Sequence, residues 1–104
     1  MNDTATTGGT DLPDPMDEVL ESFAGYARLE RGLAPTTVEN YLNQVRPFLF
    51  WYARHGHSSL DTLTVRDVNR FLTWRAEYCS AGSIRVATTA LRALLRWMFL
   101  DGRL

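Results

Sequence analysis

Apolar residues recur along this chain at steps of three and four in four separate stretches, and nowhere do they alternate long enough to make a strand. The pattern predicts four helices. The first starts at Asp14, read as an N-cap with Pro15 at the first helical position and acids in the first turn, where the helix dipole favours them. Its stripe is Val19, Leu20, Phe23, Tyr26 and Ala27, and Gly32 stops it after Arg31.

The second helix runs from Pro35 or Thr36 to Arg54, with Val38, Tyr41, Leu42, Val45, Phe48, Leu49 and Tyr52 on one face. Its start is read either as a Thr36/Glu39 capping box or as Ala34 followed by Pro35 at the first helical position. Pro47 lies inside it, a defect of roughly 3 kcal/mol in a regular helix, so a kink is expected near residues 43–47. Gly56 ends the helix and a polar connection, His55 to Thr62, follows. Thr64 and Asp67 have capping-box spacing for a third helix reaching about Tyr78, with Val65, Val68, Phe71 and Leu72 buried. Ser83 is read as the N-cap of a fourth, which buries Ile84, Ala87, Leu91, Leu94, Leu95 and Met98 and stops at Gly102. Four such stripes can be buried only against one another, so the fold class is an all-α four-helix domain over residues 14–104. Residues 1–13, polar and acidic with almost nothing to bury, read as a disordered N-terminal tail.

Composition adds exclusions. At 104 residues there is room for one domain only. Every one of the 11 bases is arginine, so no phosphate-loop lysine or Schiff-base lysine exists. The lone Cys79 allows no internal disulfide, the longest apolar run is far too short for a bilayer, and no signal peptide opens the chain; the default is a cytoplasmic protein with no membrane partner. The net charge of −1 is unevenly placed, with seven acids and one base in residues 1–30 and ten bases and five acids in residues 31–104. That split favours a polyanion as partner of the basic part.

Candidate chemistry is concentrated on the fourth helix. Arg85, Thr89, Arg92 and Arg96 share one face over about 16 Å, and no acid interrupts residues 78–100. Arginine can fork onto phosphate or a guanine edge in the major groove, and threonine can bond a phosphate; the same face also fits a merely solvated surface. Thr36, Asn40, Asn43 and Gln44 give the second helix a neutral hydrogen-bonding face. His55 and His57 lack a third ligand and read as turn residues, Cys79 reads as a small packing residue, and the four tyrosines read as core residues whose hydroxyls reach the edge. Trp51, Trp74 and Trp97 fall beside the stripes. No acid pair or nucleophile–base set supports catalysis, and no metal, cofactor or small-molecule substrate is called for.

The runs Gly32-Leu33-Ala34-Pro35-Thr36-Thr37-Val38 with Tyr41, Leu63-Thr64 with Asp67-Val68 and Phe71-Leu72, and Ser83-Ile84-Arg85 with Ala90-Leu91-Arg92 and Arg96-Trp97 follow one another in a specific order. Over residues 17–103 the chain resembles the N-terminal SAM-like, core-binding domain of tyrosine recombinases, the phage integrase and Xer-type proteins. The resemblance implies two helical hairpins packed crosswise, forming half of a clamp on duplex DNA, with the second and fourth helices facing the major groove. Thr37, Tyr41, Asn43, Arg85, Thr89, Arg92 and Arg96 become the DNA-contact candidates, Tyr41 being open to a structural role. The family often carries serine at the place of Ala34 and bases at those of Leu42 and Asn43. Its catalytic residues lie in a second domain expected beyond Leu104, so this chain, excised or truncated, is expected not to cut DNA by itself. The implied partners are double-stranded DNA, which makes the protein nucleoid-associated when bound, and other recombinase subunits in a synaptic assembly. Two competing readings are a helical protein–protein adaptor with an acidic first helix and, against the missing constellation, a complete small enzyme.

Overall fold

The computed structural model describes residues 12–104, which form four helices: α1 (Asp14–Leu29), α2 (Pro35–Arg54), α3 (Val65–Arg75) and α4 (Ala81–Leu100). The reading of residues 1–13 as a tail lies almost wholly outside the described residues. Leu12, counted with that tail, is buried in the core at 6% exposure.

Asp14 is the first residue of α1 rather than its cap; the Pro13 carbonyl accepts from the Met16 and Asp17 amides instead. Pro15 in the first turn removes a donor that has no helical partner there. Past the end of α1, Gly32 takes φ +63°, the left-handed region open to glycine, and lets the Leu33 amide return to the Ala27 carbonyl. Ala34 is the N-cap of α2 with Pro35 in its first turn, so of the two expected starts the proline one forms. The helix runs unbroken through Pro47. Five of its buried apolar residues, Val38, Val45, Phe48, Leu49 and Tyr52, are 3% exposed or less, a face that compensates the missing Pro47 donor.

Thr64 and Asp67 form the expected capping box, with the Asp67 amide donating to Thr64 Oγ1 at 3.2 Å and the Thr64 amide to Asp67 Oδ2 at 2.9 Å. Three readings of this region change. Val65, at the first helical position, overhangs the core and is 63% exposed. Helix α3 ends at Arg75, because residues 76–79 close into tight turns on the Trp74 and Arg75 carbonyls, and Tyr78 is exposed. Ser80, not Ser83, caps α4: its Oγ accepts the Ser83 amide at 3.1 Å, adding a turn ahead of the expected start. Gly102, at φ +77°, ends α4 in a Schellman turn, with Arg103 N–H on the Met98 carbonyl and Gly102 N–H on that of Phe99.

Helices α2 and α4 make the central pair. Helix α1 packs on α2, and α3 packs on both α2 and α4. Two aromatic clusters fill the joints. Phe23 and Tyr26 of α1 meet Trp97 of α4 at 5.6 and 6.2 Å between ring centroids. Phe48 and Trp51 of α2 meet Phe71 of α3 at 5.4 and 5.6 Å. Trp97, placed beside the stripe by its spacing, is buried, because the aromatic residues of α1 widen the core at that end. Leu60, in the connection read as polar, and Leu63 just after it also plug the core, whereas Ile84, Leu72 and Leu95 are only half-buried. Tyr52 departs furthest from its expected edge position: its hydroxyl is buried without a hydrogen-bond partner among the described residues, and its ring lies flat on His57 at 3.8 Å.

Candidate nucleic-acid interface

The α4 stripe emerges on the side away from the core. Ala87, Ala90, Leu91, Leu94, Trp97 and Met98 are buried, and Arg85, Thr89, Arg92 and Arg96, about half a turn round the helix from them, are all exposed. None of these three arginines has an acid within ion-pair distance among the described residues. Thr89 donates its hydroxyl to the Arg85 carbonyl at 3.1 Å, which leaves Oγ1 free only as an acceptor. The face therefore offers forked cationic donors on a rigid rod, the chemistry that grips phosphate and guanine edges.

The α2 candidates are less alike. Asn43 is exposed, and its Oδ1 accepts from Arg46 at 3.2 Å, so its amide NH₂ points its donors elsewhere. Thr37 is half-buried. Tyr41 is half-buried and lies parallel to Phe23 at 6.5 Å, which gives its ring a packing role while the phenol stays near the surface. Thr36 and Asn40 are exposed and Gln44 half-buried.

Other expected roles separate. His55 holds the Trp51 carbonyl through Nδ1 at 2.7 Å, and His57 stacks on Tyr52, so the two imidazoles serve different contacts. No group of three metal-ligating side chains occurs among the described residues, and none of their helices is long and apolar enough to cross a membrane. One basic surface escapes helix-by-helix reading: Arg54 of α2 and Arg70 and Arg75 of α3 converge beside Trp51 and Trp74. The signal was present as Trp51/Arg54 and Arg70/Trp74, each a same-face pair, but only the packing of α3 on α2 joins them.

Residues 20–102 match the family model described as phage integrase, N-terminal SAM-like domain. The chain is 36% identical over 87 residues to a protein of Sinorhizobium fredii designated integrase/recombinase y4rF, covering 82% of this chain and 20% of that one. It is 30% identical over 98 residues to tyrosine recombinase XerC of Vibrio cholerae, covering 91% and 31%. Tyrosine recombinase XerC of Proteus mirabilis is 27% identical over 95 residues, covering 90% and 31%. The chain thus spans between a fifth and a third of the length of these relatives. No solved structure matches.

Proposed function

The chain belongs to the phage integrase N-terminal SAM-like domain family, and on that premise we propose that it is the duplex-DNA-binding module of a tyrosine recombinase, non-catalytic by itself. The observation that carries this reading is the α4 face, with Arg85, Arg92 and Arg96 exposed on one stripe and without an ion-pair partner among the described residues. Laid in the major groove, that stripe supplies phosphate forks and base-edge donors, while Thr89 accepts a hydrogen bond. Thr37, Tyr41 and Asn43 of α2 add neutral contacts from the neighbouring helix. The relatives named tyrosine recombinases support DNA as substrate of the larger protein, where this module contributes affinity and part of the site preference.

Labelled duplex titrated at several salt concentrations tests the reading. With about three phosphates neutralised, log affinity falls against log salt with a slope near −3. Changing Arg85, Arg92 and Arg96 together to alanine removes binding and leaves the helical spectrum unchanged. Retained binding in that variant would overturn the assignment.

A second reading has its own observation. Leu29, at 85% exposure, and Leu100, at 68%, border one open hollow with Tyr26 and Trp97 beside acidic α1, a surface suited to protein. We assign it to subunit contact within a synaptic assembly or, in the adaptor reading, to a basic protein partner. Sedimentation of Leu29→Asp/Leu100→Asp against the parent chain, with and without DNA, reports whether this end carries association.

A further inference from the structure

Between α2 and α3 lies a groove distinct from the α4 stripe, and we infer that it binds a single strand of nucleic acid. Two shallow hollows of about 370 and 330 Å³ run together along it, sharing Trp51, Arg54 and Trp74, and no residue of α4 lines either. Arg75 lies at one end and Arg70 and His55 at the other. No acid lines either hollow, and Arg54, Arg70 and Arg75 have no ion-pair partner among the described residues. Asp67, which borders an adjoining small hollow with Arg70, is engaged by Thr64 in the α3 cap. Arg46, which also lines the first hollow, is paired with Glu39 at 4.0 Å, leaving Arg54, Arg70 and Arg75 as the unpaired charges among the described residues. The arginines are therefore a net cationic rim.

The aromatic groups decide which polyanion fits. Trp74 is 38% exposed and is braced from below by Phe71, at 5.9 Å, and edge-on by Tyr78, at 5.2 Å. Trp51 is held by Phe71 and by the His55 ring, 4.4 Å away. These are fixed indoles beside guanidinium groups, the combination on which unpaired bases stack while their phosphates are neutralised. A duplex keeps its base faces inside the stack and would offer the indoles only its backbone. An acidic peptide binds most strongly by sinking an apolar anchor into a closed pocket, and these hollows are open and rimmed by arginine. A strand is the occupant that uses both the charge and the rings.

Arg54, Arg70 and Trp74 are exposed, so their substitution leaves the core alone. The test is fluorescence anisotropy of a labelled oligothymidylate of about a dozen nucleotides, within the site sizes usual for such grooves. A labelled duplex of equal length is titrated in parallel with the same whole-chain protein, and far-UV circular dichroism of each variant confirms the fold. Trp74→Ala and Arg54→Glu/Arg70→Glu each weaken strand binding about tenfold or more, as loss of a stacked base or of phosphate contacts does, and change duplex binding less than twofold. The alanine triple variant of Arg85, Arg92 and Arg96 shows the reverse. The inference fails if the parent chain does not bind the strand, or if Trp74→Ala and the double variant both bind it as the parent does. It fails equally if an oligoglutamate of matched charge displaces the strand at equal concentration, which would assign the groove to an acidic protein. Duplex binding is read separately, so the α4 assignment stands or falls on its own.

Discussion

Arg103 reaches back across 85 residues to hold Glu18 in a two-point fork, Nη1 to Oε1 at 2.9 Å and Nη2 to Oε2 at 3.1 Å. The same guanidinium donates through Nε to Asp101 at 2.8 Å and lies over the Trp97 ring at 4.9 Å. It can do so because the Schellman turn at Gly102 folds the chain back toward the start of α1. The fork, and then the Ser22 hydroxyl at 2.6 Å, hold the Glu18 carboxyl below its ordinary value. A carboxyl depressed in the folded state contributes stability above its unfolded pKa and loses that contribution as pH falls through the folded value. The urea midpoint should therefore drop as pH is lowered through the acid end of the carboxylate range. In Glu18→Gln this part of the profile flattens; an unchanged profile would show that the fork adds nothing in solution.

The α3 cap makes a sharper stability prediction. Thr64→Ala removes the acceptor for the Asp67 amide and should cost about 1 kcal/mol in urea unfolding. Because Asp67 returns the bond to the Thr64 amide, Thr64→Ala and Asp67→Ala together should cost less than the two apart. Additive losses would mean the box does not act as a unit.

Tyr52 should respond in the opposite direction. Its hydroxyl is buried with no partner among the described residues, a situation that costs about 1–3 kcal/mol. Tyr52→Phe keeps the ring on His57 and on Phe48 while deleting the stranded oxygen, so the thermal midpoint should rise. A fall would show that the hydroxyl finds a partner in solution.

Trp97 joins α1 to α4 through Phe23, Tyr26 and Arg103, and it is 5% exposed. Trp97→Ala should cost about 3–5 kcal/mol, a large part of the stability of a domain this size. Chemical denaturation should show a much lower midpoint, and amide exchange should accelerate first in α1.

On DNA, single changes on the α4 stripe should behave as phosphate or base contacts do. If Arg96 meets a phosphate, Arg96→Ala lowers affinity evenly across sequences and reduces the salt slope by about 1. Sequence-selective loss from titrations on unrelated duplexes would instead place Arg96 on a base edge.

Single-helix periodicity revealed what single helices determine. The α2 stripe at Val38, Leu42, Val45, Phe48, Leu49 and Tyr52 is buried as its spacing requires, and the α4 arginines are exposed for the complementary reason. Ser80 and Ser83 can each cap a helix, and Gly82 between them resembles a breaker, so the local sequence leaves the start of α4 ambiguous. Leu60 and Leu63 are buried from a connection too short to show a period. The Glu18–Arg103 fork and the Arg/Trp groove both arise between elements distant in sequence. No spacing rule along one helix could bring Trp51 and Arg54 to Trp74 and Arg75.

The fork also makes the domain almost circular in its connectivity. Pro15 and Glu18 border the same small hollow as Gly102 and Arg103, so the chain enters and leaves the bundle at one pole. A short linker from residue 104 to residue 12, with new ends opened in the exposed turn near Gly56, should preserve all four helices. The Glu18–Arg103 contact thus ties the first turns of α1 to the residues that follow α4, holding the two ends of the described bundle together.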